Sequence, residues 1–529
     1  MSENKAGLLK KTVQLIIVAL FAKGLGFVRE MVLAYYYGTS MVSDVFVAVQ
    51  NIPSIIFTIF GVAITTEFIP IYSGIRMKDG TEQADRFANN IFNIFFVLSV
   101  VLTLLGTVFS KPLVKLFAGG FTGETLALCN AFAKIIMPSS IAIILVYVYN
   151  AYLQIYGFFL QNSMMNIPYN LLQMLGIVLG FYLNNYYILA IGILVSSFAQ
   201  LLYLRILIRT KTAFKHRFVF NFKDPGLTQM LVLVGPVFIS TGISQINNII
   251  DRSLASRLQE GSVSALNYSS EVTSIVIQVV IMSLTMILYP KMIECFARDD
   301  AEKRNSFVKD YLGTVALLAL PLSALIFMLS EDVLSVLFER GAFTHDTVLF
   351  VNGTLKMYAI GIIGASLRDA LNRAFYALKD TKTPMINGVI AVLCNIALNF
   401  LLIRKYQHIG LAFATSASAL LCTLLLFIQL IRRFKGFHVA TLLIGLSKMA
   451  IGVVLMVLSL WASMKWIPLT NAWLRCLVFG IIGLAVYILV LFLLKEKTFL
   501  SFVGRKKKVA VSEADSETLS QSEDFTEER

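Results

Sequence analysis

The sequence predicts an all-α polytopic membrane protein with fourteen transmembrane helices, arranged as two pseudo-symmetric six-helix lobes plus two extra C-terminal helices. Composition, the length of the apolar segments and an internal repeat each point to this fold class. Of the 529 residues, 57% are hydrophobic and 14% are charged. That composition leaves too little polar surface to cover a soluble core, so the chain is expected to be solvated largely by lipid.

Fourteen apolar stretches are long enough to cross a bilayer, which takes about 20 residues of α-helix. The predicted helices span residues 12–35, 41–74, 90–109, 126–155, 161–183, 186–209, 226–254, 264–290, 308–329, 347–377, 383–403, 409–431, 441–464 and 472–494. The first has the basic start of a signal peptide but contains Lys23 and ends in no small-residue cleavage site. It is therefore expected to be retained as a membrane helix.

The charge of the loops predicts the orientation of the chain. Cations collect in the loops after predicted helices 2, 6, 8, 10 and 12, whereas the intervening loops hold few. Because short cytoplasmic loops carry the excess of Lys and Arg, both termini are predicted to be cytoplasmic. The net charge of +14 is spread over these loops, so it does not indicate binding to nucleic acid.

An internal repeat at an offset near 222 predicts the two lobes. It matches LFAGGFT at 116–122 to LFERGAFT at 337–344 and pairs Glu30 with Asp251. Six helices separate equivalent points, so the lobes should run in parallel orientation. The predicted parts are an N-terminal lobe at 1–222, a C-terminal lobe at 223–436, two added helices at 437–497 and a disordered cytoplasmic tail at 498–529.

Ionisable residues inside the predicted helices are the candidates for function, because a charge in the bilayer is costly and normally faces a wet cavity or the bundle interior. The predicted substrate-binding residues are Lys23, Arg29, Glu30, Asp44, Arg252 and Glu271, and the candidates for ion coupling are Asp44 and Asp251. Several cations in one cavity suit an anionic head group, since Arg grips phosphate oxygens in a bidentate way. The alternative is that Lys23 snorkels to the interface and that the carboxylates simply pair with the cations.

No residue pattern indicates catalysis or a metal site. The five cysteines and four histidines have no disulfide or metal-ligand spacing, and no glycine-rich phosphate loop of the Walker type occurs. The sequence therefore predicts a transporter without catalytic residues or cofactor. Its energy source is expected to be external to the chain, and a coupling cation such as Na⁺ or H⁺ is one option. A membrane-bound glycan polymerase or glycosyltransferase would need large extramembrane loops, which are absent from the prediction.

Six short motifs are distributed along the chain: GFVRE at 26–30, SDVFVA at 43–48, NIP at 51–53, FIP at 68–70, LFERGAFT at 337–344 and AFYALKDTKTP at 374–384. They resemble motifs of the MurJ-type lipid II flippases, a family of the multidrug/oligosaccharidyl-lipid/polysaccharide exporter superfamily. The resemblance runs along nearly the whole chain. It implies a multi-pass protein of the bacterial cytoplasmic membrane that moves undecaprenyl-pyrophosphate-linked disaccharide-pentapeptide from the inner to the outer leaflet.

Residue by residue, the resemblance places Lys23 and Arg29 at the family's first two basic cavity positions. Glu30 falls at the acidic position that follows them, and Asp44 at the acidic position that opens the second helix. The implied partners are the lipid-linked glycan and the surrounding membrane lipid.

The chain departs from the family pattern at two positions. The basic site deep in the second helix falls on Phe57 or Thr58, and the basic site in the eighth helix falls on Glu271. The predicted cavity is therefore less positive than the family pattern. Two alternatives stay open: a flippase for another lipid-linked oligosaccharide, such as an exopolysaccharide or teichoic-type precursor, and a cation-coupled exporter of small molecules, which would use acidic cavity residues.

Overall fold

A computed structural model describes residues 2–297, 300–434 and 436–501 of the chain. Over these residues the regular structure is α-helical, apart from one isolated β-bridge between Arg340 and Phe343. The prediction of an all-α fold is confirmed. From residue 502 onward, the predicted disordered tail lies outside the described residues.

Seventeen α-helices follow one another along the described residues. The first nine are α1 (Ser2–Tyr37), α2 (Met41–Asp79), α3 (Thr81–Val108), α4 (Ser110–Phe117), α5 (Gly123–Ile136), α6 (Ser139–Ile155), α7 (Phe159–Ser163), α8 (Asn166–Tyr182) and α9 (Tyr187–Lys211). The others are α10 (Pro225–Ala255), α11 (Ser262–Ala297), α12 (Ala301–Met328), α13 (Ser330–Phe338), α14 (His345–Ala377), α15 (Lys382–Arg433), α16 (Val439–Trp466) and α17 (Ala472–Leu493).

Prolines and one strained residue interrupt the long helices. The predicted helix at 126–155 is two helices, α5 and α6, which meet at an angle of 45° around Pro138. Proline removes a backbone N–H and clashes with the preceding turn, which is sufficient to break a helix. In α15, Gln407 has φ 47° and ψ −133°, and this break separates the predicted helices 383–403 and 409–431.

Eight helices of the described residues are long and apolar enough to cross a membrane, or up to ten if each bent pair counts as one span. The paired candidates are the two halves of α2, bent by 42°, and α5 with α6. These helices agree with a polytopic membrane protein. The predicted number of fourteen spans is not confirmed.

The order of the helices repeats at a nearly constant spacing. Helix α2 begins at Met41 and α11 at Ser262, 221 positions later, while α5 begins at Gly123 and α14 at His345, 222 positions later. The short helices α4 and α13, which we did not predict, begin 220 positions apart. This spacing agrees with the offset in the sequence, and the lobe boundaries themselves stay a prediction.

The chain forms two compact units. The first comprises Met1–Tyr268, Leu337–Val351 and Ile396–Leu411, and the second comprises Ser269–Val336, Asn352–Asn395 and Ala412–Arg529. Aromatic side chains such as Phe68, Tyr72 and Phe87 fill the core of the first unit. Of the predicted site residues, only Glu271 belongs to the second unit.

Candidate functional site

Arg29 is held in one orientation by three side chains. Its Nη2 donates to Glu30 Oε1 at 2.5 Å, and its Nη1 donates to Gln173 Oε1 at 3.1 Å and to Asn170 Oδ1 at 3.4 Å. The side chains of Arg29 and Glu30 are 12% and 5% exposed. A guanidinium so far from water needs a counter-charge and further acceptors, which the carboxylate and the two amides of α8 supply.

Glu30 also contacts the first turns of α11. Its Oε2 accepts a hydrogen bond from Asn267 Nδ2 at 2.9 Å, so both carboxylate oxygens are engaged. Lys23 lies on the same helix, α1, and is exposed. The structure therefore places the two predicted cations differently: Arg29 is packed against polar neighbours, whereas Lys23 presents its side chain at the surface of α1.

Asp44 caps the N-terminus of another helix. It is 3% exposed; its Oδ2 accepts from Gly261 N at 2.7 Å, and its Oδ1 accepts from Ser264 N at 2.8 Å and from Ser264 Oγ at 2.7 Å. The first N–H groups of α11 have no partner within the helix, and a carboxylate there also interacts favourably with the helix dipole. Asp44 is thus bound into the packing of α2 on α11.

The opposite cap comes from the residues just before α11. Glu260 Oε1 accepts from Met41 N, the first residue of α2, at 2.6 Å. Met41 and Ser262 occupy equivalent places in the repeat, since each opens its helix. The starts of α2 and α11 therefore cap each other, each through a carboxylate that the other supplies.

Two loops extend this reciprocity. In the loop before α5, Gly120 N donates to Ser256 Oγ at 2.9 Å, at the end of α10. In the loop before α14, Ala342 N donates to Tyr35 O at 2.8 Å, at the end of α1. The loop of each repeat thus contacts a helix end of the other repeat. We call these the reciprocal loop contacts (118–122 on α10 and 339–343 on α1).

Aromatic packing reinforces the second of these contacts. Tyr268 is fully buried, with its hydroxyl donating to Gly38 O at 2.9 Å. Its ring packs on Phe338 and Phe343, and Phe338 also packs on Phe27. Helix α1, the start of α11, the end of α13 and the loop before α14 thereby contribute to one cluster of aromatic side chains.

Asp251 lies among carboxamides, and Arg252 beside it contacts backbone. Asp251 accepts from Asn399 Nδ2 at 2.5 Å and from Asn247 Nδ2 at 3.1 Å. Arg252 Nη1 donates to Val47 O at 3.1 Å, on α2. Both amides present their nitrogens to Asp251, so the carboxylate is stabilised by hydrogen bonds that side chains donate.

The two departures from the family pattern lie in α2 and α11. Phe57 is 1% exposed, and the Thr58 hydroxyl donates back to Ser54 O at 2.5 Å. Glu271 lies on α11 in the second unit and is partly buried.

Sequence reasoning missed the amide side chains that surround the charges. Asn170 and Gln173 contact Arg29, and Asn267 and Asn399 contact the two carboxylates. A signal was available, since Asn170 and Gln173 are three residues apart on one face of an otherwise apolar helix. Polar residues that share a face inside a membrane helix indicate a polar neighbour on the next helix.

Comparison with known proteins identifies the family that this arrangement matches. A family model described as "Lipid II flippase MurJ" matches residues 33–482. A probable lipid II flippase MurJ of Rhizobium tropici is 27% identical over 508 residues, covering 92% of this chain and 94% of that protein. One from Buchnera aphidicola subsp. Baizongia pistaciae is 26% identical over 435 residues, covering 80% and 83%.

Solved structures agree with the sequence comparison. "Lipid II flippase MurJ, inward closed conformation" matches with a TM-score of 0.78 and 26% identity, covering 90% of this chain and 98% of that one. An inward-facing multidrug transporter of the MATE family matches with a TM-score of 0.66 and 14% identity, covering 80% and 98%. The second likeness shows a shared fold alone.

Proposed function

The chain belongs to the lipid II flippase MurJ family, and from that premise we propose that it carries lipid II from the inner to the outer leaflet of the cytoplasmic membrane by alternating access. The protein is a multi-pass membrane transporter. The observation that carries the proposal is Arg29, a guanidinium oriented by buried polar side chains within a matching family fold. We assign the protein no catalytic step, since the proposed cycle only moves the substrate.

Arg29 and Lys23 are proposed to bind the pyrophosphate. The guanidinium is already directed by Gln173 and Asn170, so little orientation is lost when an anion arrives. Glu30 supplies the counter-charge in this arrangement, and a pyrophosphate would replace it as the partner of Arg29. Lys23, exposed on the same helix, adds a second point charge.

The reciprocal loop contacts are proposed to close the outer end of the pathway. The positive-inside pattern predicts that both loops lie outside. Each contact joins one repeat to the other through a hydrogen bond that a loop N–H donates, and the mutual caps of α2 and α11 join the same two repeats. An outward-open state must break these contacts, and bound substrate would shift the balance between the two states.

A coupling cation, Na⁺ or H⁺, is proposed at Asp251 rather than at Asp44. Both carboxylates accept hydrogen bonds at both oxygens, but two of the three donors to Asp44 are backbone N–H groups at the α11 terminus, which favours a structural role for Asp44. Asp251 is flanked by amide side chains, whose oxygens can turn toward a cation. Binding there would neutralise a carboxylate that is costly inside the bilayer.

The other substrates considered from the sequence are less well supported. The relatives that this chain matches over most of their length are named probable lipid II flippases, whereas the MATE-family multidrug transporter matches at 14% identity. A cation-coupled exporter of small molecules and a flippase for another glycan are therefore not favoured. The partner is proposed to be the lipid-linked peptidoglycan precursor, with both termini cytoplasmic.

Depletion and complementation test the proposal. In bacteria depleted of the native protein, lipid II should accumulate on the inner leaflet, and the wild-type gene should relieve this. Arg29→Ala should abolish relief while the protein remains inserted. Arg29→Lys should restore it only in part, because a point charge loses the bidentate geometry.

The matched control is Arg86→Ala, an exposed arginine on α3, which should complement fully. Accumulation of a different lipid-linked glycan on the inner leaflet would show that this glycan, and not lipid II, is the substrate. Full complementation by Arg29→Ala would show that Arg29 is not needed to bind the substrate.

A further inference from the structure

The segment between α9 and α10 has irregular backbone and is held against α3 by a row of asparagines. Asn89, Asn90 and Asn93 are each 0–1% exposed. Asn89 bonds to the backbone of Lys215 and Arg217, Asn93 to Arg217 O and Val219 O, and Asn90 to the backbone of Asn221, at 2.7–3.1 Å. Three buried amides in an apolar helix thus serve to position this one segment.

A cavity of about 330 Å³ lies where this segment meets α6 and α9. Its walls include Arg205 and Arg209, one turn apart on α9, with Lys215 and His216 from the segment and Tyr149 from α6. Arg205 Nη1 donates to the Tyr149 hydroxyl at 3.0 Å. Three cations therefore converge on a space large enough for a phosphate group.

No carboxylate balances these charges among the residues that the structure describes. The lining contains no acidic side chain, and Arg205, Arg209 and Lys215 form no ion pair within the described ranges. By contrast, Arg217 on the same segment pairs with Glu82 at 3.3 Å. The cavity is thus a place of uncompensated positive charge, which favours an anion.

His216 adds a second, independent sign of a missing ligand. Its Nε2 is buried and has no hydrogen-bond partner among the described residues, while its ring packs on Phe92. Burial, and then the charge of Arg205, lower the pKa of His216. The ring is therefore neutral near pH 7, with a nitrogen available to an incoming group.

The same segment exposes aromatic side chains at every second residue. Phe218, Phe220 and Phe222 are 84%, 50% and 73% exposed. Phe218 and Phe220 lie in irregular backbone, and Phe222 begins the turn before α10. Next to the end of a membrane helix, such a row is suited to the boundary between head groups and acyl chains.

We propose that this cavity binds the phosphate of an anionic phospholipid of the cytoplasmic leaflet, while Phe218, Phe220 and Phe222 enter the membrane interface beside it. The lipid is favoured over a soluble anion because Phe218 packs on His216 of the cavity lining, and because α9, which supplies Arg205 and Arg209, also exposes the apolar side chains of Leu202 and Ile206. The site goes beyond the proposed transport function. It rests only on the predicted cytoplasmic position of this loop.

The test uses purified full-length protein in neutral detergent, titrated with phosphatidylglycerol or phosphatidylcholine and read by native mass spectrometry. The wild-type protein should bind phosphatidylglycerol at least about tenfold more tightly than phosphatidylcholine. Each cation that hydrogen-bonds the phosphate directly contributes about fivefold or more in affinity. The double variant Arg209→Gln/Lys215→Gln should therefore lose about 30-fold. The control Lys211→Gln/Lys223→Gln removes the same charge from the end of α9 and the segment after it, outside the cavity lining, and should lose less than about threefold.

Equal losses in the two variants would show diffuse attraction and overturn the site. Equal affinity of wild type for the two lipids would overturn it also. Displacement of phosphatidylglycerol by millimolar inorganic phosphate would assign the cavity to a soluble anion instead. A second measurement leaves the cavity unchanged. Phe220→Trp should add tryptophan emission that brominated phosphatidylglycerol quenches. If the added emission stays unquenched, the proposed insertion of Phe218, Phe220 and Phe222 into the membrane interface is refuted.

Discussion

Gly341 provides the sharpest test of the reciprocal loop contacts. It adopts φ 58°, and a Cβ there would overlap the backbone oxygen of Tyr35 at the end of α1. That oxygen also accepts from Ala342 N at 2.8 Å. Gly123 provides a matched control, because it has φ 54° and open space around its Cβ position.

The free-energy costs of Gly341→Ala and Gly123→Ala should differ only by the clash with Tyr35. A non-glycine residue in the left-handed region costs about 1–2 kcal/mol, partly offset by about 0.4–1 kcal/mol from a less flexible unfolded chain. Both variants carry this term. Gly341→Ala must also displace the loop, which costs about 1–3 kcal/mol for overpacking and about 1 kcal/mol for the lost hydrogen bond. The difference is therefore about 2–4 kcal/mol.

Accessibility measures this difference as a shift between states. With Lys23→Cys in a background lacking the five native cysteines, an impermeant maleimide is added to intact cells. A difference of about 2 kcal/mol against the outward-closed state should raise the outward-open population about 30-fold. Labelling should rise strongly with Gly341→Ala and little with Gly123→Ala. Equal labelling in the two variants would refute the closing role of this contact.

Two further carboxylates give separate predictions. Asp44→Asn should lower the free energy of unfolding of the purified protein by about 1–3 kcal/mol, because one of the three buried groups that donate to Asp44 loses its acceptor. The control Asp346→Asn replaces an exposed carboxylate that also lies in the first turn of a helix, and it should change this free energy by less than about 0.5 kcal/mol. Equal effects of the two variants would argue against the cap. In the Lys23→Cys background, Asp251→Asn should abolish any response of maleimide labelling to replacement of Na⁺ or to a change of pH, whereas Asn399→Ala should weaken that response. A response unchanged in Asp251→Asn would place the coupling ion elsewhere.

The fold class and the positions of most helices could be predicted from the sequence alone. Apolar content, segment length and proline placement act locally, so they can be read along the chain. The repeat could also be read, because LFAGGFT and LFERGAFT recur at one offset. The same reasoning missed the short helices α4 and α13 and joined α5 to α6 across Pro138, whereas the break at Gln407 falls between two helices that the sequence predicts separately.

Sequence reasoning also singled out candidate charges but not the role of each one. Asp44 was a candidate for ion coupling, and the structure shows it capping a helix 217 residues away. The partners of Arg29 and Asp251 include amides that lie 141–148 positions along the chain. Spacing reports only the face of one helix on which a side chain lies. The opposing face comes from packing between distant helices, and a carboxylate becomes a cap, a counter-ion or a cation ligand according to the donors that this packing brings to it.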